Sequence, residues 1–271
     1  MRTVALMALL AAVLVGPGCR RAASAGSSPA PPATAPATPD EYWTVALQEV
    51  YRSPLVLQAQ HRSERRRGIH LNKIMHGDTA RRQIALTFDD GPHPDYTPGL
   101  LKALADAGAK ATFFLVGEKA EQAPDLVKAE IAAGHSVGNH TYHHVNLTKI
   151  PPRLVATEIQ ACGDVLQRIT GTKPHLFRPP GGDYNLPVAE TANDLGYTLV
   201  LWTDDPADYA QPPAQVLMSR TLDWAHNGGI LLLHDGAPET VALLPQLLTD
   251  LRRRGFELVT VDEMLREPGR E

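Results

Sequence analysis

The stretch Ile84-Ala85-Leu86-Thr87-Phe88-Asp89-Asp90-Gly91-Pro92 decides the fold. Its first five residues form an apolar run too short for a helix, and Gly91-Pro92 turns the chain sharply. Two adjacent carboxylates are thereby left at the mouth of a strand. Working outward, the same pattern repeats. Strands are expected over Ile84–Phe88, Ala111–Val116, Ser136–Asn139, His175–Arg178, Thr198–Trp202, Gly229–Leu233 and Glu257–Val259. Helical periodicity fills Pro98–Ala107, Ala123–Ala133, Pro152–Ile169, Pro187–Leu195, Ala214–Ala225 and Thr240–Arg253. Strand–helix alternation implies parallel strands with helices outside, an α/β sheet or barrel in one domain.

Composition sets the outer bounds. The chain has 271 residues, 26 basic against 30 acidic, and a net charge of −4. That balance argues against charge-driven nucleic-acid binding. Two cysteines, Cys19 and Cys162, are too few for a disulfide framework. Met1 and Arg2 precede an apolar run, Val4 to Val15, that is too short to span a bilayer and reads as an export signal over residues 1–21. Cys19 directly after Gly18 resembles a lipoprotein site, with Ala23-Ser24-Ala25 as the ordinary cleavage alternative. Residues 22–40, nearly all Ala, Pro, Ser, Thr and Gly, read as a disordered tether. Residues 41–79 are unassigned: helical at first (Trp43, Ala46, Leu47, Val50), then strongly basic. Arg62–Arg82 holds seven Lys or Arg against two acids. A solvated surface explains that run, and a patch for an anionic polymer or membrane is the sharper alternative. Cys162, among Ile159, Val165 and Leu166, reads as a buried thiol.

The polar residues fall where the strands end. Asp89 and Asp90 follow the first strand, His140 and His144 the third, Arg178 ends the fourth, Asp205 follows the fifth and His234 the sixth. In parallel α/β architectures these ends converge on one face. Four of the eleven histidines lie within ten residues, and His140 and His144 are spaced to stack on one turn of helix. Joined by an aspartate from another strand, they make a two-histidine, one-carboxylate hydrolytic metal site. Taken singly, an Asp-Gly turn, an H-x-x-x-H pair or a strand-end histidine is ordinary; the combination is not.

Five segments together resemble the polysaccharide deacetylase family (NodB-like domains, carbohydrate esterase family four). They are Thr87-Phe88-Asp89-Asp90-Gly91-Pro92, His140-Thr141-Tyr142-His143-His144, Arg178-Pro179-Pro180-Gly181-Gly182, Asp205-Pro206-Ala207-Asp208-Tyr209 and Leu232-Leu233-His234. The resemblance covers about residues 80–265 and implies a distorted (β/α) barrel of about seven parallel strands. It implies a divalent metal on Asp90, His140 and His144, zinc first, with cobalt, nickel or manganese as alternatives. Asp89 becomes the base and Arg178 its orienting partner. His234, held by Asp205, becomes the acid. Pro180, Gly181, Gly182, Asp183, Tyr184 and Tyr209 are implied to border the substrate, with Leu232 lining the slot for the acetyl methyl. His143 is read as a bystander, or as the ligand in place of His144. Two residues depart from the family pattern: Gly181 stands where a tyrosine is frequent, and Tyr209 where tryptophan is usual.

The expected activity is N-deacetylation of N-acetylglucosamine units in an exported glycan, peptidoglycan or poly-N-acetylglucosamine, releasing acetate. Alternatives are a catalytically silent glycan-binding protein, or a deacetylase of O-acetylated glycan such as xylan. The expected protein is a monomer of the cell envelope or periplasm, lipid-anchored or secreted, with no nucleic-acid partner.

Overall fold

A strand covered on both faces is buried along its whole length, and β2 (Gln83–Gly91) nearly is: all but Asp90 of its nine residues are buried, with Ile84, Ala85, Leu86 and Phe88 as its apolar members. The computed structural model of the chain describes residues 39–48 and 50–266. Before β2 come α1 (Pro39–Ala46), α2 (Pro54–Arg66) and the two-residue strand β1 (Lys73–Ile74). After it follow α3 (Thr97–Ala107), β3 (Thr112–Leu115), α4 (Gly117–Gln122), α5 (Pro124–Ala132), β4 (Ser136–Asn139), α6 (Pro152–Thr170), β5 (Leu176–Phe177) and α7 (Leu186–Asp194). The chain continues through β6 (Thr198–Val200), α8 (Ala214–Trp224), β7 (Gly229–His234), α9 (Pro238–Arg253), β8 (Glu257–Val259) and α10 (Val261–Leu265). The export signal, Cys19 and the tether up to residue 38 lie outside the described residues. Among the described residues, no helix is long and apolar enough to cross a membrane.

The strands run in the order β1-β6-β5-β4-β3-β2-β7, every pairing parallel, and β8 joins β2 at Gln83–Ala85. A single parallel bridge, Asp204 to Leu231, links the chain beyond β6 to β7 and draws the curved sheet toward closure. The result is the distorted barrel implied by the family resemblance, one of the two forms the alternating pattern left open, with helices packed outside. One apolar cluster, including Phe114, Trp202 and Leu232, lies on one side of the sheet; a second, including Phe88, Phe113 and Leu247, lies on the other.

Residues 41–79 differ from expectation. Helix continues through α2, started by Pro54 and by Ser53 Oγ accepting from Val56 N. Leu57 is fully buried, and Lys73 reaches Glu64 and, at 2.7 Å, the Tyr184 hydroxyl. Two of the seven basic residues of Arg62–Arg82, Arg65 and Arg66, lie in the last turn of α2 and complement the helix dipole. Lys73 is withdrawn into an internal ion pair and adds nothing to a surface patch.

Cys162 is buried on α6, its Sγ 3.3 Å from the Leu115 carbonyl, and burial pushes its thiol up to about 12. Thiolate is the reactive form. Cys162 is therefore expected to ignore a disulfide reagent in the folded protein and to react fully in denaturant; rapid native labelling would contradict the burial.

Candidate active site

The sheet register itself sets the first pair. Asp89 on β2 lies directly opposite His234 on β7. Neighbouring side chains on a strand normally point to opposite faces, which would separate Asp89 from Asp90. A bulge resolves this. Asp89 pairs with Phe114 but Gly91 pairs with Leu115, leaving Asp90 as the extra residue with φ +71. The bulge re-aims the second carboxylate, and both reach one histidine. His140 Nε2 is 3.3 Å from Asp90 Oδ1 and 3.7 Å from Asp89 Oδ2.

His140 and His144 are indeed neighbours, with ring centroids 5.0 Å apart, but the expected helical turn is absent. They stand on an irregular loop after β4, with Thr141 at φ +65 and His144 at φ +56. Such left-handed backbone is uncommon outside glycine, and here Asp90 and His144 both adopt it. Asn139 pins the loop: its Nδ2 donates to the Ile159 carbonyl at 2.7 Å, and its Oδ1 accepts from Thr141 N at 2.9 Å. His144 Nε2 lies 3.0 Å from Asp90 Oδ1. His143 turns away, meeting Glu158 Oε1 at 2.7 Å and the Trp43 ring at 5.5 Å.

The donor atoms of Asp90, His140 and His144 lie within 4.8 Å of one another. Hydrogen bonding shows what the cluster suits. A carbonyl oxygen can only accept, so His140 Nδ1 must donate to Arg178 O at 2.7 Å. Its Nε2 is then the atom turned to the Asp90 carboxylate, 3.3 Å away, and positive charge between them, a proton or a cation, is what both atoms suit. Burial works to raise the pKa of Asp90, yet the two histidines hold it well below the usual carboxylate range. An ionised carboxylate beside two imidazoles, one of them fixed by its outer hydrogen bond to Arg178 O, suits a divalent cation.

Arg178 serves both halves of the site. Its carbonyl fixes His140, and its Nη1 donates to Asp89 Oδ1 at 2.7 Å and Thr87 Oγ1 at 2.8 Å. The guanidinium is fully buried, 4.1 Å from the Phe114 ring centroid.

The partner of His234 corrects the sequence reading. Asp208, not Asp205, holds it: Asp208 Oδ1 meets His234 Nδ1 at 2.6 Å, while Oδ2 accepts from His234 N at 2.8 Å and Thr240 Oγ1 at 2.7 Å. Asp205 Oδ1 instead accepts from Ala207 N at 2.9 Å and builds the turn that carries Asp208. The signal was present in Asp205-Pro206, a turn-opening pair whose aspartate is consumed by its own backbone. Burial alone lowers the pKa of His234, but the charge and hydrogen bond of Asp208, with weaker help from Asp90 and Asp89, bring it to about 9.

Two expected substrate residues are also corrected. Asp183 is bound by Arg52 Nη2 at 2.5 Å and Asn146 Nδ2 at 2.9 Å. Tyr184 is buried, with its hydroxyl 3.0 Å from Glu64 Oε1. Both anchor the N-terminal segment and neither faces the cleft. Tyr209 does line the cleft, together with Tyr51, Asp90, Lys119, His234 and Asp235. Burial pushes Asp235 up to about 6, and Thr97 Oγ1 lies 2.5 Å from it. Pro180 and Gly182 are buried and Gly181 is partly exposed beside them. Leu232, fully buried, sits two residues before His234 and so on the same face of β7. Lys119 and Tyr51 were not legible as cleft residues, because helix or loop positions off the strand ends carry no pattern; Asp235 follows β7 directly and its strand-end position is the signal that could have marked it.

Fold and site together define a class: parallel α/β barrels whose strand ends gather two histidines and a carboxylate between a buried Asp–Arg pair and a buried His–Asp pair. The chain belongs to the polysaccharide deacetylase family, whose profile matches residues 76–200. A peptidoglycan-N-acetylglucosamine deacetylase of Bacillus cereus is 40% identical over 188 residues, spanning 68% of this chain and 88% of that protein. A crystal structure of a peptidoglycan N-acetylglucosamine deacetylase bound to a substituted benzamide superposes with a TM-score of 0.70 at 32% identity, covering 72% of this chain and 92% of the other. A family pseudoenzyme from Bacillus anthracis superposes equally well, with a TM-score of 0.70 at 27% identity, over 74% of this chain and 71% of its own. Fold alone therefore does not separate active from silent members; the side chains must.

Proposed function

We propose that the protein is a metal-dependent deacetylase that removes N-acetyl groups from N-acetylglucosamine units of an extracytoplasmic polysaccharide, peptidoglycan first and poly-N-acetylglucosamine second. The observation that carries the reading is the placement of the Asp90–His140–His144 cluster between Asp89 on Arg178 and His234 on Asp208. The 40% identical Bacillus cereus relative, a peptidoglycan-N-acetylglucosamine deacetylase, supports the choice of substrate.

Asp90, His140 and His144 would hold the cation, zinc before cobalt, nickel or manganese. When bound, it supplies Lewis acidity and lowers the pKa of water from 15.7 to about 7. Asp89 takes the proton of the water that attacks the acetamide carbonyl carbon. Arg178, gripping Asp89 Oδ1 at 2.7 Å, leaves Oδ2 turned toward His140 and the cluster. As the C–N bond breaks, the departing nitrogen receives a proton from His234 Nε2, since Nδ1 is committed to Asp208. The products are acetate and a glucosamine unit. Leu232, beneath His234, would floor the acetyl slot.

A family pseudoenzyme shares this fold; the presence of Asp89, His234, Asp90, His140 and His144 in one cleft supports the active reading for this chain. Acetate release from peptidoglycan, N-acetylglucosamine oligomers and acetylated xylan tests the reading. Chelation is expected to abolish release and added zinc or cobalt to restore it. Activity indifferent to chelator would remove the metal mechanism, and release from xylan alone would move the substrate to an O-acetyl glycan.

A further inference from the structure

Gly181 cannot carry an aromatic wall, and its backbone shows what occupies that space. Its φ is +61, and a Cβ there would lie 1.8 Å from the Val50 carbonyl oxygen. Any side chain at position 181 would push the N-terminal segment away. That segment is fastened at two points, six residues apart. Asn146 N, two residues beyond His144, donates to Ala46 O at 2.7 Å; Arg52 N donates to Gly181 O at 2.8 Å, and its guanidinium meets Asp183. Ala46 is buried under the join.

The strap delivers Tyr51. Its ring stacks on Tyr209 with centroids 3.7 Å apart and planes 10° from parallel, and stands edge-on to His234 at 5.3 Å. Tyr51 lines the cleft with Asp90, Tyr209 and His234, and also a smaller pocket with His144, Pro180 and Gly181. It therefore stands between a ligand histidine and the histidine of the opposite wall. A pyranose ring presents an apolar C–H face, and a rigid, partly exposed aromatic block is the surface that such a face packs against.

The geometry points to Tyr51 as a substrate-binding residue that fixes a sugar ring of the glycan beside His234, on a strap that only glycine at position 181 admits. The inference rests on the deacetylase reading. Because the strap is tied at both ends, it acts as a built wall of the cleft, and binding should feel its loss more than chemistry does.

The test is calorimetric binding of a pentamer of N-acetylglucosamine to the full chain carrying Asp89→Asn, which stops turnover. Adding Tyr51→Ala is expected to weaken binding about tenfold, and Tyr51→Phe to stay within about twofold. In the otherwise unaltered protein, Tyr51→Ala should raise KM with kcat changed only a few-fold. Gly181→Ala should reproduce that KM rise through displacement of Val50, and Tyr51→Ala should add little to it. Pentamer binding that ignores Tyr51→Ala, a Phe variant no better than Ala, or no pentamer binding at all would overturn the assignment. Failure of the deacetylase reading is seen separately, as no acetate released from any glycan by the unaltered chain, and the binding measurement still decides Tyr51.

Discussion

Asp89→Asn is expected to lower kcat by about 10²–10⁴-fold while the cation stays bound. The expectation comes from the bulge at Asp90. Because Asp90 is the extra residue of β2, its Oδ1 lies 3.0 Å from His144 Nε2 and 3.3 Å from His140 Nε2, whereas Asp89 is gripped by Arg178. Asp89 thus has an oxygen to accept a proton and a partner that fixes its orientation, and the ligand set is complete without it. Breaking a buried ion pair costs about 3–5 kcal/mol when one partner is deleted. Asparagine keeps an oxygen for Arg178 Nη1, so the loss of stability should be well below that of Asp89→Ala. Metal content per chain, thermal midpoint and kcat separate the cases. Loss of the cation in Asp89→Asn would make Asp89 a ligand, and retained activity would remove it as base.

Much of this site was legible because parallel strands must end on one face. Asp89, Asp90, His140, Arg178 and His234 each follow or end an apolar run, and the register does the rest by setting Asp89 opposite His234. His140 and His144 were paired correctly on a false ground. A helical turn was expected, whereas the loop reaches the same proximity through left-handed residues held by Asn139. Local periodicity could not foresee this, because Asn139 acts through hydrogen bonds to Ile159 and Tyr197, far along the chain. Asp183 and Tyr184 were misjudged for a related reason. Their partners, Arg52 and Glu64, belong to a segment whose apolar residues are split between buried (Ala46, Leu57) and exposed (Val45, Leu47, Val50, Leu55, Val56), so their pattern does not reveal that it packs on the barrel. Tyr51 is hidden for the same reason, since nothing in its own neighbourhood marks it as a wall of the cleft.

Exchanging the two aspartates of the fourth motif separates their roles. Asp208→Asn is expected to lower kcat by about 10²–10⁴-fold at neutral pH, and Asp205→Asn to change it little. Asparagine at 205 can still accept the hydrogen bond from Ala207 N that shapes the turn. Asparagine at 208 can accept one hydrogen bond from His234 but carries no charge. The pH dependence follows from the opposing causes. With Asp208 present the His234 pKa stands at about 9, so the protonated ring predominates at pH 7 and activity falls as pH rises through about 9. Without that charge burial weighs more heavily, the pKa falls from about 9, and the alkaline limb of kcat moves toward neutrality. A divalent cation on Asp90 would leave net positive charge there and lower the pKa in both forms, without changing the direction of the shift between them. Stability follows the same sign. The raised pKa contributes stability that is full below pH 6.5 and lost as pH climbs through about 9, so Asp208→Asn should also flatten the fall of the thermal midpoint over that window. A collapse in Asp205→Asn with an intact pH profile in Asp208→Asn would return the holding role to Asp205, against the 2.6 Å contact that places it on Asp208.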